Sequence, residues 1–275
     1  QEVIKCWQGL GYYSRARNLH KTAQKVANEF QGHFPSRYSD LIKLPGVGDY
    51  TASAIASFCF DENAAVVDGN VYRFLARYYG IKTPINSSKG FKEFKQLAQE
   101  LIDPNDPGTF NQAIMEFGAL QCKPQKPDCF SCPFQSSCMA LKKQVVAKLP
   151  VKTSKLKIKK RYFNYLVFVG EPSQTALVQR IGKGIWENLY EFPLIETNQL
   201  IEENQLRNHP DWTLWVGNSK TKTSLYNETP IVHKLSHQHL ITRFWIVDEK
   251  PFSKNRISIS DFEKYPVYNK SFLCF

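Results

Sequence analysis

No stretch of this 275-residue chain approaches the roughly 18 consecutive apolar residues that a membrane-spanning helix needs. A charged-then-apolar leader ending in small residues is missing as well. The expectation is a soluble, cytoplasmic protein with no membrane partner. Acidic residues are scarce: 25 Asp and Glu stand against 36 Lys and Arg, for a formal charge of +11. The deficit is shared, with 13 acidic against 18 basic residues in 1–150 and 12 against 18 in 151–275. That balance favours a polyanionic partner through phosphate neutralisation and counterion release, although many basic proteins bind no nucleic acid. A disulfide ladder is also lacking. The seven cysteines are an odd number, and Cys122, Cys129, Cys132 and Cys138 crowd together while Cys6, Cys59 and Cys274 stand alone. This is the pattern of a ligand cluster. Nor does the chain open on methionine. Gln1–Gln8 already reads as the amphipathic end of a helix, with Val3, Ile4 and Trp7 at helical spacing. An upstream segment is therefore expected, the alternative being only a short missing tail.

With 42% hydrophobic residues the chain is long enough for two packed cores. From Arg15 to Leu141 apolar residues recur at three and four, as in Leu19, Ala23, Val26, Ala27 and Phe30, or Phe91, Phe94, Leu97, Ala98 and Leu101. Pro35, Pro45, Pro84 and the Pro104–Gly108 turn punctuate the pattern. The first half reads as all-helical. Between Val151 and Arg161 six basic residues occur without an acidic one, as in a solvated linker or a phosphate-contacting strap. Beyond it the rhythm shortens to strand-like runs at Tyr162–Val169, Thr175–Gln179, Trp212–Val216, Ile231–Leu235 and Leu240–Val247, with one helical stretch at Thr197–Asn208. The second half reads as α+β.

Three constellations carry chemistry. Leu44-Pro45-Gly46-Val47-Gly48-Asp49-Tyr50 places two glycines where a tight hairpin turns into a helix. Free backbone N–H groups and the positive end of the helix dipole there suit a DNA phosphate, although an ordinary turn between helices has the same look. Asp68, in Val66-Val67-Asp68-Gly69-Asn70-Val71, follows some twenty residues later. It reads either as a helix N-cap or as an anion facing a sugar held by the hairpin. Breaking an N-glycosidic bond builds positive charge on the sugar, which a nearby carboxylate stabilises. A leaving base also needs a proton donor. No second acid is convincingly placed, and Glu116 is a candidate only for a structural or water-positioning role. The third constellation is Cys122, Cys129, Cys132 and Cys138, whose four thiolates can hold zinc or a [4Fe–4S] cluster. One C-x2-C knuckle flanked by longer, unequal gaps is unlike the paired knuckles of zinc ribbons. Lys123 and Lys126 in this loop are either phosphate contacts or solvated charges.

Taken together, hairpin, aspartate and cysteine spacing resemble the endonuclease III superfamily. Three motifs in order narrow the resemblance to its adenine glycosylase branch, the MutY-like proteins: Trp7-Gln8-Gly9-Leu10-Gly11-Tyr12-Tyr13-Ser14-Arg15-Ala16-Arg17-Asn18-Leu19, Asp68-Gly69-Asn70-Val71 and Asn111-Gln112-Ala113-Ile114-Met115-Glu116. The match spans nearly the whole chain. It implies a multi-domain protein. An all-α helix-hairpin-helix glycosylase domain over 1–143 would carry a [4Fe–4S] cluster on Cys122, Cys129, Cys132 and Cys138. A basic linker over 144–160 would lead to an α+β Nudix-like domain over 161–275. The implied partner is double-stranded DNA in which adenine is mispaired with 8-oxoguanine or guanine, the adenine being flipped into a pocket of the helical domain. Leu44, Gly46, Val47 and Gly48 would hold the DNA backbone, Asp68 would stabilise the sugar cation, and Tyr50 and Asn70 would lie beside the extruded nucleotide.

Bifunctional lyases of the superfamily carry a lysine after the hairpin, where this chain has Tyr50, which cannot form an imine. The resemblance thus implies a monofunctional glycosylase, against the alternatives of an endonuclease III-like glycosylase and lyase or a non-catalytic DNA-binding fragment. The family's general acid, a glutamate before a Q-Q-T segment, is not found and is expected upstream of Gln1. If protonation contributes about 100 to 10,000-fold, this chain alone is expected to be close to inactive, and prone to self-association where the complete protein is a monomer. Gly184-Ile185-Trp186-Glu187-Asn188-Leu189-Tyr190-Glu191-Phe192-Pro193 resembles the Nudix-like pattern G-x-W-x-x-L-x-x-F-P. The metal-binding signature of Nudix hydrolases is lacking, Glu202-Glu203 being the nearest acidic pair, so this domain is expected to bind and not hydrolyse. Leu235, Ser236 and His237 correspond to the family's F-S-H loop at 8-oxoguanine, with leucine in place of the stacking aromatic. Without the resemblance, His237 reads as a strand-end histidine.

Overall fold

A computed structural model of the chain describes residues 1–153, 158–169, 173–217, 221–248 and 255–268. The chain divides into two compact units, one of Asn18–Lys155 and one that joins Gln1–Arg17 to Leu156–Phe275. This differs from the expected division at the start of the chain. Ile4, Tyr13 and Ala16 are buried in one cluster with Leu189, so the first helical segment serves the second core. Among the described residues no helix is long and apolar enough to cross a membrane.

The chain opens with α1 (Glu2–Cys6) and α2 (Ser14–Glu29). From Asn18 the first unit is helical, as the spacing predicts. It continues with α3 (Tyr38–Leu41), α4 (Asp49–Phe60), α5 (Gly69–Tyr79), α6 (Ser88–Leu101), α7 (Pro107–Leu120) and α8 (Met139–Lys142). Local chemistry sets the boundaries. Ser87 Oγ accepts from Gly90 N at 3.0 Å to start α6, and Asp106 caps α7 ahead of Pro107, where a missing N–H costs nothing. Gly80, at φ +70°, closes α5 in the left-handed conformation. Leu75, Phe94, Ala98 and Ile114 form one core and Leu41, Leu44, Ala52 and Ala56 another. The expected linker is partly structured: Leu149 is buried in the first of these cores, with Val145, Val146 and Val151 packed against it. Ile85 N donates to Val151 O at 3.0 Å. Residues 154–157 of the basic stretch, like Cys274, lie outside the described residues.

In the second unit β1 (Lys159–Phe168) is the middle of the sheet. Further along come β2 (Gln174–Ala176), β3 (Val178–Gln179), β4 (Tyr190–Glu191) and β5 (Leu194–Thr197). Two short helices, α9 (Glu203–Arg207) and α10 (Trp212–Trp215), precede β6 (Lys222–Leu225), β7 (Ile231–Lys234), β8 (Gln238–Asp248) and β9 (Arg256–Ser258). β1 runs parallel to β8 and antiparallel to β5, while β6 and β7 both pair antiparallel with β8. Strand alternation sends Phe163, Tyr165 and Val167 into a core with Leu240 and Phe244, and Leu166 and Phe168 into one with Leu206, Trp212 and Trp245. A strand buried on both faces is what a sheet covered on both sides requires.

Two expectations are corrected. The Trp212–Val216 run forms the helix Trp212–Trp215 with Val216 after it, not a strand: Trp212 and Val216 are buried in one core while Leu214, which a strand would turn to the same face, is 67% exposed. The helix expected over Thr197–Asn208 shrinks to Glu203–Arg207. Thr197 pairs with Tyr162 in the sheet, and a capping box of Glu202 and Gln205 starts the helix late.

Candidate functional site

The hairpin is built as its glycines require. Gly46 sits at φ +76°, and a Cβ there would fall 2.5 Å from the Asn18 side chain, so the turn admits neither a left-handed penalty nor added bulk. Thr22 Oγ1 donates to Pro45 O at 2.8 Å, and Leu44 is buried beneath the turn while Gly46 and Gly48 stay exposed. Gly48 is the N-cap of α4 and offers no side-chain cap, which leaves first-turn N–H groups of α4 open to solvent or a ligand. Asp49 in that turn would oppose an anion, but Lys95 Nζ lies 3.0 Å from its carboxylate and Tyr38 Oη donates to it at 2.8 Å. Burial, then the bond to Asp49, push the Tyr38 hydroxyl up to about 12.

Asp68 stands at the N-cap of α5. Its Oδ1 accepts from the backbone N–H of Asn70 and Val71, both at 2.8 Å, and its Oδ2 accepts from Asn70 Nδ2 at 2.8 Å. The carboxylate is therefore a cap and a charge of fixed orientation at once. The extended approach to it is held by α7: Val66 N donates to Asn111 Oδ1 at 3.0 Å, and Asn111 Nδ2 donates to Ala64 O at 3.0 Å and Ser57 Oγ at 2.9 Å. Sequence reasoning cited Asn111 within a motif but gave it no role. Its signal is an amide one helical turn before apolar Ile114, on the same buried face of α7. Tyr50 is half-exposed in the first turn of α4, with its hydroxyl 4.0 Å from Met115 Sδ. Glu116 is exposed and accepts from Gln112 Nε2 at 3.0 Å.

A chain of bonds runs from Asp68 to the cysteine loop. Arg73 Nη2 donates to Asn70 Oδ1 at 2.9 Å, and Arg73 Nε donates to Cys122 O at 2.7 Å. Arg77, one turn on, donates to the carbonyls of Lys123 and Pro124 at 2.7 and 3.1 Å and reaches Cys122 Sγ at 3.4 Å. Both arginines are buried, and burial foremost lowers the Arg73 guanidinium from its usual range. Cys122, Cys129, Cys132 and Cys138 are free, half-buried, and line one cavity with Phe74, Tyr78, Phe117 and Phe134. Among the described residues no three metal-binding side chains converge on a single-ion site. Burial pushes the Cys129 and Cys132 thiols up, and the neighbouring thiols add to it.

In the other unit, Leu235, Ser236 and His237 form the turn between β7 and β8, closed by Leu235 N donating to Gln238 O at 2.8 Å. Leu235 packs against the Phe163 core, which leaves Ser236 and His237 exposed at the tip. Ser236 Oγ lies 3.4 Å from Tyr12 Oη. Together with Gly9–Ser14, Arg17, Trp186 and Tyr268 this turn lines a cavity of about 600 Å³. Tyr12 was missed as a neighbour of Ser236 because nothing local links positions 224 apart. Glu202 and Glu203 are engaged in ion pairs with Arg243 and Arg207.

A family model described as the HhH-GPD superfamily base excision DNA repair protein matches residues 1–104. An adenine DNA glycosylase of Buchnera aphidicola subsp. Schizaphis graminum is 39% identical over 196 residues, which is 71% of this chain and 56% of that protein. One from Buchnera aphidicola subsp. Baizongia pistaciae is 35% identical over 265 residues, 94% of this chain and 71% of that protein. The rat protein of the same name is 52% identical over 141 residues, 51% of this chain and 27% of its own length. The chain thus spans little more than half the length of the first of these relatives, and nearly three quarters of the second. It belongs to the adenine DNA glycosylase family, within the helix-hairpin-helix base excision repair proteins.

Proposed function

We propose that the protein is a monofunctional DNA glycosylase that hydrolyses the N-glycosidic bond of adenine mispaired with 8-oxoguanine or guanine in double-stranded DNA. The observation that carries this reading is the Asp68 carboxylate, fixed by two backbone N–H groups and the Asn70 amide. An anion that needs no reorganisation stabilises a sugar cation best when the charge develops. Leu44, Gly46, Val47 and Gly48 present backbone to a DNA phosphate at the start of α4, and the Asp49 charge is met by Lys95. Tyr50 and Asn70 flank the extruded nucleotide, and with no lysine at position 50 the reaction ends at base release.

Cys122, Cys129, Cys132 and Cys138 fit a [4Fe–4S] cluster in donor set: four thiols on one cavity walled by aromatic side chains. When bound, the cluster would fix the loop and neutralise its thiolates. Arg73 and Arg77 hold that loop against α5 by its carbonyls. The α/β region is Nudix-like and reads the base opposite adenine with Ser236 and His237. It binds without hydrolysing, since the metal-binding signature of Nudix hydrolases is lacking from the sequence, Glu202-Glu203 being the nearest acidic pair.

Single-turnover excision from duplex carrying adenine opposite 8-oxoguanine tests the proposal. In the intact protein Asp68→Asn keeps a good N-cap and removes the charge, so the rate is expected to fall at least about 100-fold while stability changes by under ~1 kcal/mol. A rate within a few-fold of wild type would show that the charge at position 68 has no part in the chemistry.

A further inference from the structure

We infer that Glu187 is a positioning residue that sets the preference for the base opposite adenine, by anchoring the Gly9–Arg17 segment across from Ser236. The inference rests on the proposal that Ser236 and His237 read that base.

Tyr12 is 72% exposed and sits at φ +48°, directly after Gly11 at φ +68° and three residues past Gly9 at φ +92°. A tyrosine in the left-handed region persists only where its surroundings fix it. Two bonds fix the loop internally: Trp7 Nε1 donates to Gly11 O at 3.0 Å, and Gly9 N donates to Tyr13 Oη at 3.2 Å. Two more tie it to the reading domain. Tyr13 Oη donates to Tyr268 O at 3.1 Å, and Arg17 donates to Glu187 O at 2.9 Å while pairing with the Glu187 carboxylate at 3.1 Å.

These two anchor points share one support. Trp186, next to Glu187, stacks on Tyr268 with centroids 3.7 Å apart and planes 6° from parallel. The same indole meets His233 edge-on at 5.7 Å, at the end of β7 that leads into the Ser236 turn. Tyr268 is steadied from behind by Tyr165, whose hydroxyl donates to Glu191, itself held by Arg180. The Trp186–Tyr268 stack therefore carries both walls of the cavity, and the Arg17–Glu187 pair sets where the Tyr12 wall stands. Arg17 lines the cavity and Glu187 does not. Glu187 acts through Arg17.

The test is binding to two duplexes containing a non-cleavable adenine analogue, one opposite 8-oxoguanine and one opposite guanine, read as the ratio of their dissociation constants. General destabilisation lowers both affinities alike and leaves the ratio in place. Glu187→Lys sets two cations together and is expected to reduce the ratio about tenfold, and Glu187→Ala about fivefold, consistent with losing one half-buried charged contact. Glu187→Gln keeps an acceptor for Arg17 and should stay within about twofold of wild type. Ser236→Ala is the reference variant. If it lowers the ratio while Glu187→Ala and Glu187→Lys leave it unchanged, the positioning role is wrong and the base-reading proposal stands. If Ser236→Ala and His237→Ala both leave the ratio unchanged, the base-reading proposal itself fails.

Discussion

Gly118 shows how little room the Asp68 site allows. A Cβ at this position of α7 would meet Asn70 Cβ and Asn70 O, each at 2.7 Å, and Asn70 is the residue whose amide orients the carboxylate. Gly118→Ala is expected to destabilise the fold by about 1–3 kcal/mol through overpacking, and to slow excision beyond what lost stability explains. Gly108→Ala, whose Cβ would lie 3.1 Å from Ser57 O and far along α7 from Asn70, is the control, measured by thermal unfolding and single-turnover rate. An equal loss of rate in both variants would deny Asn70 its orienting role. Asp68 was legible in the sequence because a cap has a local signature, an acidic residue before glycine at the start of an amphipathic run. Arg73 and Arg77 were not, because their partners are carbonyls of the cysteine loop, and a carbonyl leaves no mark on the sequence.

Among the elements, the β1–β5 pairing carries a charge dependence that can be read directly. Arg161 meets Glu196 through two bonds of 2.6 Å, and these bonds, more than the Coulomb attraction, hold the Glu196 carboxyl below the usual range. The folded state thus takes up this proton less readily than the unfolded chain. Its contribution is complete above the ordinary glutamate value near ~4.3 and is lost as pH falls through the lower folded value. Glu196→Gln is expected to cost less than about 1 kcal/mol at pH 7, since the pair is partly exposed, and to flatten the fall in stability below pH ~4 in denaturant titrations. An unchanged slope would mean that Glu196 does not contribute to acid unfolding. Elements with long, regular patterns were readable: α6, β1 and β8 lie where their periodicities place them. The stretch Trp212-Thr213-Leu214-Trp215-Val216 was not, because five bulky residues satisfy strand propensity and helix spacing equally. Only burial decides between them: Trp212 and Val216 enter one core, and Leu214, which a strand would turn to the same face, is left exposed.

For the molecule as a whole, the basic excess is spread over both halves of the sequence. If six to ten phosphates are contacted, affinity for non-specific duplex should fall about 10³–10⁵-fold between roughly 50 and 200 mM salt, measured by fluorescence anisotropy. A flat salt response would show that the excess charge does not face DNA. The two-part composition was legible from the change of rhythm near residue 150. The membership of Gln1–Arg17 was not, because Ile4, Tyr13 and Ala16 meet Leu189 across a separation that no local pattern spans.

That membership bears on how the protein is made. The unit holding Ser236 is discontinuous: its opening segment leaves the ribosome first, and β8, which pairs with β1 along its whole length, leaves late. The helical unit, continuous from Asn18 to Lys155, can close during synthesis, whereas the apolar side chains of Ile4, Tyr13 and Ala16 wait for a partner not yet translated. In a growing chain the last structure to form is the pocket that Tyr12 lines, so a nascent protein acquires its helical scaffold before this cavity.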